Sequence, residues 1–520
     1  MSEGCEVELR ASAGSKRVKA PRPLPPPPAA APLDRQLLGP RPGQRQQLWD
    51  SFSHFSLHQE WDLYGLGPPA ASWWPPVYLR RRSALREIVA AGNVVIALAE
   101  SGVCAAINQE SGRPLCFINT EADEVVRSLF ISRPTEALIT VSVFSGDAFQ
   151  QLRVRSTPLA ALRAGQPHAW RALFAAEVLR WPGFVEFCDI NDVAVTMNAE
   201  TRTFKVFDLR APAHPRFHVA SAGVRDLKIT SGGALLLTLE SARPDELALR
   251  VLDLADGALL KELHLPLEHA CEAPQAACAC CGGPLGSLEL VELFGRHLLV
   301  KEARGPLLIL DITTGAARRV PDGVFCSPAA FIHLPFNHSF LAFFQAGPAQ
   351  LWSFDGQRLA SLEHAVLPDA AAINSVYISE AQDLMFAYCR PGESSACSLQ
   401  SAAGAGAPQP PASEAQGAAM GSVAAGREAS QDGDVGSGSA ALGCIRVYSL
   451  LTGRQVAVIQ QRLPWKEQRP WPPSAARRQE RLAAAAAAAL KHVTSLLFDE
   501  HTHRLYTGTA DGRLQSWAVG

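Results

Sequence analysis

The sequence predicts an all-β chain: a single β-propeller of about eight four-stranded blades, with seven as the alternative, a disordered N-terminal tail and low-complexity loop insertions. Three observations carry this. An apolar, alternating strand that ends in a polar residue and runs into a turn recurs eight times, most often at intervals of about 43 to 58 residues, near the roughly 40–45 of one blade. A second apolar run precedes each of these strands. The final residues then read as two strands, Leu505–Thr509 and Arg513–Val519, joined by Asp511-Gly512, with Trp517 a few positions beyond the turn. Such a hairpin cannot bury its faces alone and must stack on copies of itself.

The eight recurring strands follow in order. Val103–Asn108 leads into Ser111-Gly112, Leu152–Arg155 into Ser156-Thr157-Pro158, and Phe204–Asp208 into Leu209-Arg210. Leu249–Asp253 leads into Asp256-Gly257, Leu307–Asp311 into Thr314-Gly315, and Gln350–Ser353 into Asp355-Gly356. Ile445–Ser449 with Thr452-Gly453 and the terminal Arg513–Trp517 complete the series. The glycines supply the positive φ that a tight turn between strands needs. Val94–Leu98, Leu138–Phe144, Val193–Met197, Leu235–Leu239, His297–Lys301, Phe340–Phe344, Leu384–Tyr388 and Leu505–Thr509 are the expected second strands. Phe184–Phe187, Leu227–Thr230, Val376–Ile378 and Ser495–Phe498 are expected inner first strands. The last blade lacks a fourth strand, and Val77–Arg81 is expected to supply it, because a closed ring leaves no exposed edge.

Composition marks the insertions. Residues 398–443 are an Ala/Gly/Ser/Gln tract with almost no large apolar side chains, expected to be a disordered loop. Residues 461–491 join a Pro/Trp segment to an alanine-rich helix over Arg477–Lys491. Residues 268–287 hold a cysteine-containing loop. The propeller is therefore placed at residues 84–520. Residues 1–75 form a Pro/Ala/Arg-rich tail, whose Pro21–Pro28 run favours polyproline II. Its aromatic patch, Leu48–Phe55 and Trp61–Tyr64, is expected either to cover one side of the propeller or to act as a short binding motif.

Charged residues make up 19% and the formal net charge is −2, so no global field draws the chain to nucleic acid. No apolar run approaches the roughly 20 residues of a bilayer-spanning helix. Glu3, Glu6 and Glu8 argue against a secretory signal. Twelve cysteines, several in apolar runs (Cys104, Cys116, Cys188, Cys326 and Cys389), read as reduced thiols of a nuclear or cytoplasmic protein. The expected partners are other proteins, with neither nucleic acid nor membrane among them and with the chain itself a monomeric propeller.

Candidate sites are few. Cys271, Cys278, Cys280 and Cys281 have the number of a Zn²⁺ site, but their spacing lacks the paired C-x2-C hooks that grip one ion. Cys280-Cys281 also resembles the vicinal disulfide of quinoprotein dehydrogenases, whose Gly/Trp docking motif this chain does not repeat. No nucleophile elbow, phosphate-binding loop or zinc-protease helix occurs. His333, His338, Asp123-Glu124 and Asp189 read as turn residues. No catalytic group, resident metal or cofactor is expected.

Val195-Thr196 followed by Val206-Phe207-Asp208-Leu209-Arg210 resembles the box by which some WD-repeat proteins dock onto the damage-binding adaptor of cullin-4 ubiquitin ligases. Phe207 stands where that box has Trp or Tyr, and Met197 where it has a small residue. The resemblance implies that Phe207, Asp208 and Arg210 contact a partner at a blade rim. More broadly, Thr120–Phe130, Ile139–Phe144, Trp181–Phe187, Lys205–Leu209 and Tyr506–Thr509 resemble a WD-repeat-like family of plants and green algae within the transducin/WD40 superfamily. That likeness spans roughly residues 85–520 apart from the insertions. It implies a non-catalytic interaction scaffold, with a cullin-4 substrate receptor as one alternative and a nucleic-acid-associated propeller or a propeller enzyme as others. The Gly-His dipeptide of typical WD repeats is absent, so the blades are expected to rest on apolar packing.

Overall fold

A computed structural model describes residues 49–65, 82–362, 376–390, 443–460 and 484–519, apart from short breaks at 242, 244–245, 268–287, 304, 326–327, 345–346 and 380–382. Among the described residues, thirty-two strands make eight four-stranded antiparallel sheets, each one blade. Blade one holds β2 (Leu85–Ala91), β3 (Val94–Ala99), β4 (Cys104–Asn108) and β5 (Pro114–Phe117). Blade two holds β6 (Glu124–Ser132), β7 (Ala137–Phe144), β8 (Arg153–Pro158) and β9 (Arg171–Leu173), with the short helix α1 (Leu159–Arg163) after β8. Blade three is β10 (Val185–Cys188) to β13 (Pro215–Ala220), with β11 at Val193–Asn198 and β12 at Thr203–Asp208. Blade four is β14 (Val224–Ile229) to β17 (Leu259–Pro266), and blade five is β18 (Leu288–Phe294) to β21 (Ala317–Val320). Blade six runs from β22 (Pro328–Leu334) to β25 (Arg358–Leu362). Blade seven has β26 (Val376–Ser379), β27 (Leu384–Cys389), β28 (Cys444–Ser449) and β29 (Gln455–Ile459).

The ring follows from how the blades hide their faces. Second strands such as Val94–Ala99 and Ser339–Phe344 are buried along their whole length, because a middle strand is covered on both faces. Eight apolar clusters fill the spaces between consecutive blades, the last lying between blades eight and one. Burying one Leu or Phe side chain contributes roughly 1.5–3 kcal/mol, so these clusters hold the ring. The first strands of neighbouring blades approach one another, which places them at the centre.

Blade eight corrects two expectations. It consists of β30 (Val493–Asp499), β31 (Arg504–Thr509), β32 (Arg513–Val519) and β1 (Phe55–Asp62), with β1 antiparallel to β32. The closing strand is therefore Phe55–Asp62, while Val77–Arg81 lies outside the described residues. Residues 49–65, read as part of the tail, belong to the propeller. The aromatic patch packs against the blades, the first of its two expected roles: Phe52 is buried against Phe55, Phe386 and Phe498, and Trp61 and Leu63 enter the core beside blade one. Trp61 Nε1 also donates to Gly112 O at 2.6 Å, tying the closing strand to the next blade.

Of the expected alanine-rich helix, residues 484–489 are helical, with Ala486, Ala489 and Leu490 packed into the cluster between blades seven and eight. Residues 461–483 of that insertion, the 268–287 loop with Cys271, Cys278, Cys280 and Cys281, and residues 398–442 lie outside the described residues.

Candidate interaction site

The recurring strand-then-turn pattern is a hydrogen-bonded cap. At the end of the third strand, Asn108, Asp208, Asp253 and Asp311 each accept the backbone N–H two residues on, at 2.8–3.0 Å. Ser353 and Ser449 take the same place in blades six and seven, accepting from Gln357 and Thr452. The residue after the cap then donates to the turn between first and second strands, as in Leu209 to Asp192 O, Leu254 to Gly233 O and Leu450 to Asp383 O. Such side-chain caps satisfy turn donors that the sheet leaves over.

The proposed docking residues sit in this frame. Asp208 Oδ1 holds the Arg210 N–H and its Oδ2 accepts from Arg216 at 2.6 Å. Burial alone would raise the Asp208 carboxyl, but the Arg216 hydrogen bond, the Arg210 N–H and both guanidinium charges bring it below the usual range. Arg210 is 66% exposed and pairs with Asp192 at 2.5 Å. Phe207 is 2% exposed, packed on Phe174 in the core between blades two and three. That corrects its placement as a surface contact: neighbouring blades cover both faces of β12, and Phe207 lies on the face toward blade two while Val206 lies on the one toward blade four. Val195 and Thr196 are fully buried on β11.

Other candidates read from sequence make contacts within the blades. Asp123 accepts the Gly146 N–H, and Glu124, fully buried, holds Arg155, Ser142 and the Thr120 N–H. His333 stacks on Phe294 and shares a 2.6 Å hydrogen bond with Ser231. Its burial, with His297 and His338 nearby, brings it down to about 4. His338 occupies a left-handed turn position. Among the described residues, no group of three His, Cys, Asp or Glu is arranged to hold a metal, and no helix is long and apolar enough to cross a membrane.

Two features escaped the sequence reading. On the inner strands of blades three, four and five, Lys228 pairs with Glu292 at 2.6 Å and lies 3.9 Å from Asp226. Burial, with Asp226 and Glu292 adding to it against Lys228, pushes the neighbouring Glu186 up to about 7. The second feature is Trp181. Residues 179–181 run antiparallel to 150–152: Leu152 donates to Leu179 O, Trp181 to Gln150 O, and Gln151 bridges Arg180. Gly183 then turns so tightly that a Cβ would lie 2.0 Å from Arg180 O. Leu152 and Leu179 anchor this frame in the core, while Trp181 itself is 41% exposed, with the Arg127 guanidinium 5.5 Å from its ring centre. Trp170, also exposed, covers Arg155 in the same way. Nothing in a sequence period marks which tryptophan stays outside.

An eight-bladed β-propeller with capped rim turns and fixed surface tryptophans is the class that fold and surface define. The chain belongs to the family described as Domain of unknown function (DUF7899), whose model matches residues 41–405. None of the curated proteins matches it in sequence. Among solved structures it is similar in fold to the computationally designed Ika8 protein, at 15% identity and a TM-score of 0.43 over 84% of this chain and 97% of that one. It is also similar to BamB from Moraxella catarrhalis, at 11% identity and a TM-score of 0.40 over 89% of this chain and 97% of that one.

Proposed function

We propose that this chain is a non-catalytic scaffold that binds another protein through the surface around Trp181. The supporting observation is a large apolar ring held outside the core by a hydrogen-bonded frame, with an arginine stacked beside it. Trp and Arg dominate binding hot spots, and a side chain already fixed loses little freedom on docking. Proximity labelling in cells with wild type, Trp181→Ala and the distant surface control Leu359→Ala tests this. A set of labelled proteins should vanish with Trp181→Ala alone. Identical sets for all three would end the proposal, and stoichiometric retention of a metal or cofactor by the purified protein would replace it with an enzyme.

A narrower reading keeps Asp208 and Arg210 as contacts for the adaptor of cullin-4 ligases. The exposure of Arg210 on a rim turn favours it, while the burial of Phe207 removes one of the three contacts. Co-purification of that adaptor with wild type but not with Arg210→Ala is the test. We also infer descent from WD repeats, supported by the Trp517 Nε1 hydrogen bond to Thr507 Oγ1 at 3.0 Å in blade eight. A reducing compartment, nucleus or cytoplasm, is inferred from cysteines such as Cys104 and Cys116, which are buried as free thiols.

A further inference from the structure

Cys389 ends β27 and Cys444 opens β28, and the two stand directly opposite in the antiparallel register. Opposed Cα atoms in such a ladder lie roughly 4.5–5.5 Å apart, within the roughly 4.4–6.8 Å that a disulfide spans. Opposed residues share a face of the sheet. Met385 and Tyr448, on that same face, pack in the core between blades six and seven. Each cysteine is 7% exposed.

The chain between them is unlike other links from second to third strand. Elsewhere that link is short, as from Asn198 to Thr203 or from Thr509 to Arg513, but here residues 390–443 intervene. Closing so long a connection costs more entropy than closing a turn, and β27–β28 pairing bears that cost.

We propose that Cys389 and Cys444 are a peroxide-responsive dithiol–disulfide pair that staples the second and third strands of blade seven. Cys444 is the attacking group. The hydrogen bond from Cys389, opposed by burial and helped by Arg446, brings its thiol below the usual range, which favours the thiolate that attacks. The Cys444 sulfur attacks one oxygen of hydrogen peroxide. The O–O bond breaks, hydroxide leaves and takes up a proton as water, and Cys444 becomes a sulfenic acid. The Cys389 sulfur then attacks the Cys444 sulfur. The S–S bond forms, the S–O bond breaks, and the oxygen leaves as a second water with the Cys389 proton. Two thiols are oxidised by two electrons, and one peroxide is reduced to two waters.

The full chain is treated with a small excess of hydrogen peroxide, its remaining thiols are alkylated, and its peptides are mapped by mass spectrometry. A peptide pair joined through Cys389 and Cys444 is expected, and dithiothreitol should separate it. Oxidation should raise the thermal midpoint by about 5 °C, from loop-closure entropy spread over a chain of this size. Cys389→Ser should abolish that rise and leave Cys444 as a sulfenic acid captured by dimedone. Full alkylation of both cysteines after peroxide, or linkage of either to a different cysteine, would overturn the proposal. The mapping uses wild type, so it holds even if the variant fails to fold.

Discussion

Arg513 and Glu60 meet at 2.6 Å across 453 residues of sequence. Gln515 donates to the other oxygen of the same carboxylate, and Gln515 also accepts from Thr507, the partner of Trp517. The polar network of the last blade thus reaches the strand that closes it. The network draws its carboxylate from a strand more than 450 residues away in sequence.

Closure rests more on apolar packing than on that ion pair. Glu60→Gln should lower stability by no more than about 1 kcal/mol, since both partners are partly exposed. Phe52→Ala should cost about 3–5 kcal/mol, because it empties a space lined by three aromatic rings. Equilibrium denaturation of the two variants compares them directly, and equal losses would contradict the ranking.

The buried pair of Glu124 and Arg155 makes a sharper forecast. Arg155→Met leaves a carboxylate at 0% exposure without its counter-charge and should cost about 3–5 kcal/mol. The double change Arg155→Met with Glu124→Leu should recover most of that loss. A double variant as unstable as the single one would show that Ser142 and Thr120 matter more than the charge.

Glu186 sets a pH dependence whose sign is fixed. Its folded value of about 7 lies above the ordinary 4.5, so the folded state holds the proton more tightly. Its contribution is complete below about 4.5 and is lost as pH rises to about 7. Glu186→Gln, which stays neutral, should therefore raise the thermal midpoint more at pH 8 than at pH 5. The opposite order in thermal scans would refute the assignment.

At the rim, Asp208 and Arg210 should separate. Asp208→Ala removes a turn cap and the Arg216 pair and should cost about 1–2 kcal/mol. Arg210→Ala, on an exposed pair, should cost no more than about 1 kcal/mol. Comparable losses in chemical denaturation would mean that Arg210 is part of the blade's own structure.

The turns were the legible part of this fold. Gly257, Gly315, Gly356, Gly453 and Gly512 all adopt positive φ where the sequence pairs them with Asp or Thr, because that requirement is local. Second strands were legible too, since a strand covered on both faces must be apolar throughout. Outer strands such as Arg171–Leu173 and Ala317–Val320 were not, being short and half polar. Phe55–Asp62 alternates as a strand should, yet it lies between segments of different texture and its partner is hundreds of residues away. Trp181 and Glu186 owe their character to neighbours from other blades, which no spacing along the chain records.

The closing strand also imposes an order on biosynthesis. β1 is made before its partner β32, which emerges some 450 residues later, roughly 20–90 s on at ordinary translation rates. For that interval the other blades can form among themselves, while β1 waits as an unpaired edge. His58, Glu60 and Asp62 along it are polar side chains of the kind that make an edge a poor template for pairing with another chain.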